Sequence, residues 1–194
     1  MPVARALMLA LLRTQVVGLL VLGRRRAALD RVDAMLRLDP RHLYALASRI
    51  PLLVQMGRTQ EGIAAARALV ECHPAHADGW FNLGFLLAET DQLAPAEIAF
   101  RRCCELQPGM DRSWYGLGLV HIRQGRFDDA AAALLRNVEL QPMSPYGWYQ
   151  LARVQVERQQ PDEARAIIRK LKNFEPKVAA QLERETGLHN MLVS

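Results

Sequence analysis

The stretch Trp114–Pro142, WYGLGLVHIRQGRFDDAAAALLRNVELQP, contains a tryptophan, a Leu-Gly pair, a Gly-Arg-Phe turn, an alanine run and a closing proline. The same landmarks return at a fixed distance. Trp80, Trp114 and Trp148 stand 34 residues apart, followed by Leu83-Gly84, Leu117-Gly118 and Leu151-Ala152. Ala96, Ala130 and Ala164 keep the same offset, as do Phe100, Leu134 and Ile168, and the prolines Pro40, Pro74, Pro108, Pro142 and Pro176 close successive units. Self-similarity at a fixed period is the signature of a repeat architecture, in which each unit is one small structural motif stacked on its neighbours.

Each period holds two runs of helical spacing separated by a turn. Small residues such as Gly84, Gly118, Ala96, Ala130 and Ala164 let two backbones approach, and a bulky Trp or Leu fills the gap between the helices of a pair. Gly125 supplies the turn with Phe127 packed behind it, and the closing proline stops the second helix. In period and in the order of these landmarks the chain resembles the tetratricopeptide repeat. The resemblance implies an all-α fold: a right-handed α-α superhelix, or solenoid, of five helix-turn-helix repeats plus a C-terminal capping helix, forming a single array over 1–194. The repeats fall at about 9–42, 43–76, 77–110, 111–144 and 145–178.

The first two repeats are less regular. Leu12 and Leu46 replace the tryptophan, Gln15 and Arg49 replace the leucine after it, and Gly62 stands where alanine is usual. Pro51 falls inside the first helix of the second repeat, where it removes a backbone donor, so a kink or a late start is expected there. Residues 2–22 read as a lengthened first helix. At the other end KVAAQLERETGL reads as an amphipathic capping helix over about 177–187, with Val178 and Leu182 on the last repeat and Glu183, Arg184 and Glu185 in water. The tail His189–Ser194 gives no reading.

About half of the 194 residues are apolar and the net charge is +5. The sign is unevenly placed: residues 1–58 hold ten arginines against Asp30, Asp33 and Asp39, and the remainder is slightly negative. Any attraction to nucleic acid or anionic lipid therefore belongs at the amino end. Three cysteines, two of them adjacent, suit reduced thiols in a cytoplasmic protein better than a disulfide framework. The opening run MPVARALMLALLRTQVVGLLVLGRRR approaches the length of a membrane span, but Arg13, Thr14 and Gln15 interrupt it and no small-residue cleavage site follows. A cytoplasmic location is expected, with membrane association through residues 1–23 as the alternative. Arginine-rich usage with only three lysines fits a bacterial, GC-rich genome.

Enzymatic motifs are missing: the sequence has no glycine-rich phosphate loop, zinc spacing or nucleophile elbow. Cys72, His73 and His76 form the densest cluster of potential ligands. They fall on a junction between repeats, where His42 occupies the same frame position as His76, so no metal and no cofactor is expected. His121 reads as a packed core histidine, and Cys103 and Cys104 as small hydrophobes. The family resemblance instead places function in a concave groove lined by the first helix of each repeat. At the groove positions of this frame lie Tyr44, Phe81, Asn82, Phe85, Arg112, Tyr115, Arg123, Tyr146, Tyr149, Gln150 and Arg153. Tyrosine and asparagine are ordinary family choices at the places of Tyr115, Tyr149 and Asn82, whereas Tyr44, Tyr146, Phe85, Arg112 and Arg153 are not.

The family's carboxylate clamp, which holds acidic carboxyl termini of heat-shock chaperones, is incomplete. Asn82 and Arg112 match, but Ala47, Pro51 and Gly116 hold its other places. The expected role is a non-enzymatic adaptor or scaffold that binds a partner peptide or helix in the groove. The alternatives are a bacterial chaperone or complex-assembly factor, and an RNA-binding helical-repeat protein drawing on Arg24, Arg25 and Arg26; nucleic acid is the weaker expectation.

Overall fold

In the computed structural model the described residues are 2–188, and all regular structure among them is helical. Eleven helices follow one another: α1 Pro2–Val21, α2 Arg25–Leu38, α3 Leu43–Gln55, α4 Thr59–Cys72, α5 Ala77–Glu89, α6 Leu93–Leu106, α7 Asp111–Arg123, α8 Phe127–Leu140, α9 Pro145–Glu157, α10 Pro161–Lys172 and α11 Pro176–Thr186. His189–Ser194 lie outside the described residues. Two compact units divide the chain, residues 1–90 and 91–194, and the division falls between α5 and α6. Within the two units α1–α2, α3–α4, α7–α8 and α9–α10 form helical hairpins, α5 ends the first unit, α6 opens the second, and α11 follows the last hairpin.

In the first unit α1 to α5 pack consecutively; in the second α6 to α11 do the same, and α11 touches both α10 and α9. The core of the second unit includes Ala130, Leu134, Leu151, Ile168, Leu171, Ala179 and Leu182, all at most 2% exposed. Side chains one period apart do the same work: Leu12 and Leu46 are buried where the later repeats carry tryptophan.

Three local devices recur with the period. Each indole nitrogen donates to the carbonyl of the proline six residues earlier, Trp80 to Pro74, Trp114 to Pro108 and Trp148 to Pro142, each at 2.9 Å. This ties a helix to the linker before it and explains why tryptophan and proline keep a common spacing. The turns that precede α2, α4, α6, α8 and α10 each place one residue in the left-handed region: Gly23, Gly57, Asp91, Gly125 and Gln159, with φ between 58° and 74°. Only glycine adopts that conformation without cost, so Asp91 and Gln159 carry strain the other turns avoid. Finally, His42 and His76 cap α3 and α5, Nδ1 accepting from the Ala45 and Gly79 amides. Their shared frame position is therefore a cap.

Two details differ from the sequence reading, and a third agrees with it. Helix α3 starts at Leu43 and runs through Pro51 without a late start, its proline ring on an exposed face. Glu183 and Glu185 are not simply in water: Glu183 pairs with Lys172 at 2.6 Å, and Glu185 accepts from Tyr149. Helix α1 has 20 residues where α3, α5, α7 and α9 have 13, in line with a lengthened start.

Candidate functional site

The groove residues named from the sequence divide between the units. In the first unit, Phe81 and Phe85 sit one turn apart on α5 with rings stacked at 6.4 Å between centroids. Phe85 stays 48% exposed, an unusual state for a phenylalanine, and Asn82 beside it is half-buried. Tyr44 lies on α3. It meets His42 edge-on and receives the Arg13 guanidinium of α1 over its ring at 4.9 Å.

In the second unit, Tyr146, Tyr149, Gln150 and Arg153 form one stripe along α9, spaced three or four residues apart. Tyr146 is 71% exposed at the amino end of that stripe. Arg153 lies over the Tyr149 ring at 5.7 Å, and the Tyr149 hydroxyl donates to the Glu185 carboxylate on α11. That carboxylate is also held by the Gln181 amide. Hydrogen bonding by Tyr149 and Gln181 and the charge of Arg153 hold the Glu185 carboxyl below its ordinary pKa, while the same contact with Glu185 raises that of the Tyr149 phenol.

On α7 the named residues are differently employed. Tyr115 packs partly against the apolar core of the unit, and Arg123 is bound to Asp91 at 2.7 Å. Arg112 is exposed on the first turn of α7. Gly116, at a groove position of the frame, is pressed against Phe100 instead, with a Cβ there only 2.6 Å from the ring. The structure thus joins Tyr149 and Arg153 into one polar-aromatic cluster, commits Tyr115 and Arg123 to contacts within the unit, and keeps Phe81 with Phe85. Glu185, the partner of Tyr149, was not among the sequence candidates. Its signal was weak: a carboxylate one turn from the end of the last amphipathic segment.

The remaining reactive groups have structural settings. Burial pushes the Cys104 thiol up to about 12, so it is not a thiolate at neutral pH. His121 is 2% exposed and touches Arg126 through Nδ1. Burial first, and then the Arg126 charge, lowers its pKa. Glu97 accepts from Arg126 and pairs with Arg101 at 2.9 Å; burial alone would raise its pKa, but the Arg126 hydrogen bond and charge outweigh this. His73 meets the Arg41 carbonyl. Among the described residues no group of three His, Cys, Asp or Glu side chains is placed to hold a metal ion.

The tetratricopeptide repeat profile matches residues 48–111 and 113–177, well over half of the chain, and the chain belongs to that family. The repeats of this family serve as protein–protein interaction modules. No curated protein sequence matches significantly. Among solved structures the chain is similar to MamA, with a TM-score of 0.79 and 18% identity over 96% of this chain and 98% of that one. It is also similar to YrrB, described as a TPR protein with an unusual peptide-binding site, at 0.76 and 18% over 87% and 88%. PilF of Pseudomonas aeruginosa aligns at 0.71 and 18% over 94% and 91%. At such identities the likeness is one of fold.

Proposed function

We propose that the chain is a non-enzymatic adaptor whose α9 surface receives an acidic peptide or helix from a partner protein. The observation that carries this reading is the Tyr149–Arg153–Glu185 cluster. There a carboxylate on a helix accepts from the tyrosine hydroxyl while a guanidinium covers the ring. The chain's own α11 therefore displays the kind of ligand this surface takes: a helical segment with a carboxylate, laid against aromatic and cationic side chains. Tyr146, with most of its surface in water, and Gln150 continue the stripe beyond Glu185. Aromatic and arginine side chains of this sort are the usual anchors of protein interfaces. YrrB's description as a peptide-binding repeat protein supports the reading by analogy of fold. A cytoplasmic, bacterial setting goes with it.

The test is an array of peptides graded in Asp and Glu content, probed with the full chain and with the Arg112→Ala/Tyr149→Ala double variant. Acidic peptides should bind the wild type and lose about tenfold or more in the variant, which corresponds to ~1.4 kcal/mol, while the far-ultraviolet circular dichroism stays unchanged. Full binding by a folded double variant removes the α9 surface from consideration. Binding that collapses on RNA competition and moderate salt points to nucleic acid instead.

A further inference from the structure

Helix α1 is apolar on two sides, and the fold uses one. Leu12 and Val16, 7% and 0% exposed, pack it on α2. Away from that face Val3, Leu7 and Leu11, and then Val17 and Val21, recur every four residues with Thr14 and Gly18 between the two series; all five stand in water, Leu7 at 73% and Val21 at 82% exposure. A contiguous apolar strip of this kind marks an interaction surface. No charge interrupts it. The two arginines of α1 are drawn to its other sides, Arg5 to Asp39 at 3.1 Å and Arg13 to the Tyr44 ring. The Thr14 hydroxyl donates to the Ala10 carbonyl and is satisfied within the helix. The strip ends at Arg24, Arg25 and Arg26, all exposed: Arg25 donates to the neutral Gln55, and Arg24 and Arg26 make no ion pair among the described residues.

We propose that α1, still packed on α2, lies on an anionic lipid bilayer, its outward strip at the headgroup–acyl boundary and the Arg24–Arg26 turn on the lipid phosphates. Charge decides the occupant. Helix α1 holds no carboxylate, so a second copy seated antiparallel would set its arginine turn against the Arg5 end of the helix, and a parallel copy would stack turn on turn. Either pairing opposes like charges, whereas an anionic bilayer supplies both an apolar layer and phosphates. Helix α1 is also long and apolar enough to cross a membrane, with 11% of the Val3–Val21 window buried. Crossing would carry Arg13 into hydrocarbon and strip Leu12 and Val16 from α2, costs that lying flat avoids. This inference does not depend on the α9 surface.

The experiment is co-sedimentation of the full chain with vesicles of phosphatidylcholine containing about one-third phosphatidylglycerol, at low salt. The wild type should pellet with them, with a partition coefficient about tenfold or more above that on pure phosphatidylcholine vesicles. Arg24→Gln/Arg25→Gln/Arg26→Gln and Leu7→Ser/Leu11→Ser should each lose about tenfold on the anionic vesicles. Both sets lie on exposed positions, so thermal melts should match the wild type and exclude misfolding. Three results overturn the proposal: wild type left in the supernatant, binding indifferent to both variants, or retention through alkaline carbonate, which marks a span. A dimer in buffer that Leu7→Ser/Leu11→Ser dissolves also overturns it and assigns the strip to a second copy.

Discussion

The first and last helices of this chain meet the same problem in different ways. Among the described residues each has packed helices on one side only, and its other face meets no further repeat. Helix α11 is apolar on one side only: Ala179 and Leu182 enter the core, and Glu183 and Glu185 are tied to Lys172 and Tyr149. Helix α1 carries leucine and valine on both sides, buries one and exposes the other. The outward groups of α11 are thus tied down by the chain's own residues, whereas the outer apolar side chains of α1 stand in water.

The largest expected effect lies at the carboxyl end. Trp148 is 8% exposed, donates to Pro142 and has the Lys170 ammonium 3.9 Å from its ring. Trp148→Ala should cost about 3–5 kcal/mol in urea unfolding and loosen amide exchange in α9 to α11 first. Two glycines within helices sharpen the contrast further. A Cβ at Gly147 would stand 2.1 Å from the Asn137 Oδ1, the side chain whose amide donates to the Asp111 carbonyl. Gly147→Ala should therefore destabilise by about 1–3 kcal/mol. At Gly18 on α1 nothing lies within 4 Å, so Gly18→Ala should stabilise by about 0.5–1 kcal/mol through helix propensity alone. A loss at Gly18 would mean that α1 is packed on its outer side and break the comparison. The turns give a smaller pair of the same kind: Gln159→Gly should raise stability, and Gly23→Gln lower it, by about 1 kcal/mol each, read as shifts in the urea midpoint.

Much of this was legible in the sequence because a period multiplies every signal. Trp80, Trp114 and Trp148 with their prolines mark the repeats, and the long first helix shows in the apolar run from residue 2. What single positions decide was harder to read. The left-handed turn is plain at Gly125 and hidden at Asp91 and Gln159, since the frame imposes a backbone that those residues do not favour. Pro51 warns of a broken helix, yet the surrounding buried residues Ile50, Leu52 and Leu53 hold α3 through it. The groove is legible as a set of positions, but not which side chains face outward: Arg123 turns to Asp91 and Tyr149 to Glu185, contacts between elements far apart in sequence. Periodicity also cannot distinguish an apolar face that meets α2 from one that meets nothing in the chain.

Paired urea unfolding of Leu182→Ser and Leu11→Ser tests the contrast between the two ends most directly. Leu182 is fully buried and Leu11 is 53% exposed. Leu182→Ser should lose about 3 kcal/mol or more, and Leu11→Ser should stay within about 0.5 kcal/mol of the wild type. Equal losses at the two positions would show that α1 is buried on both sides and contradict the account.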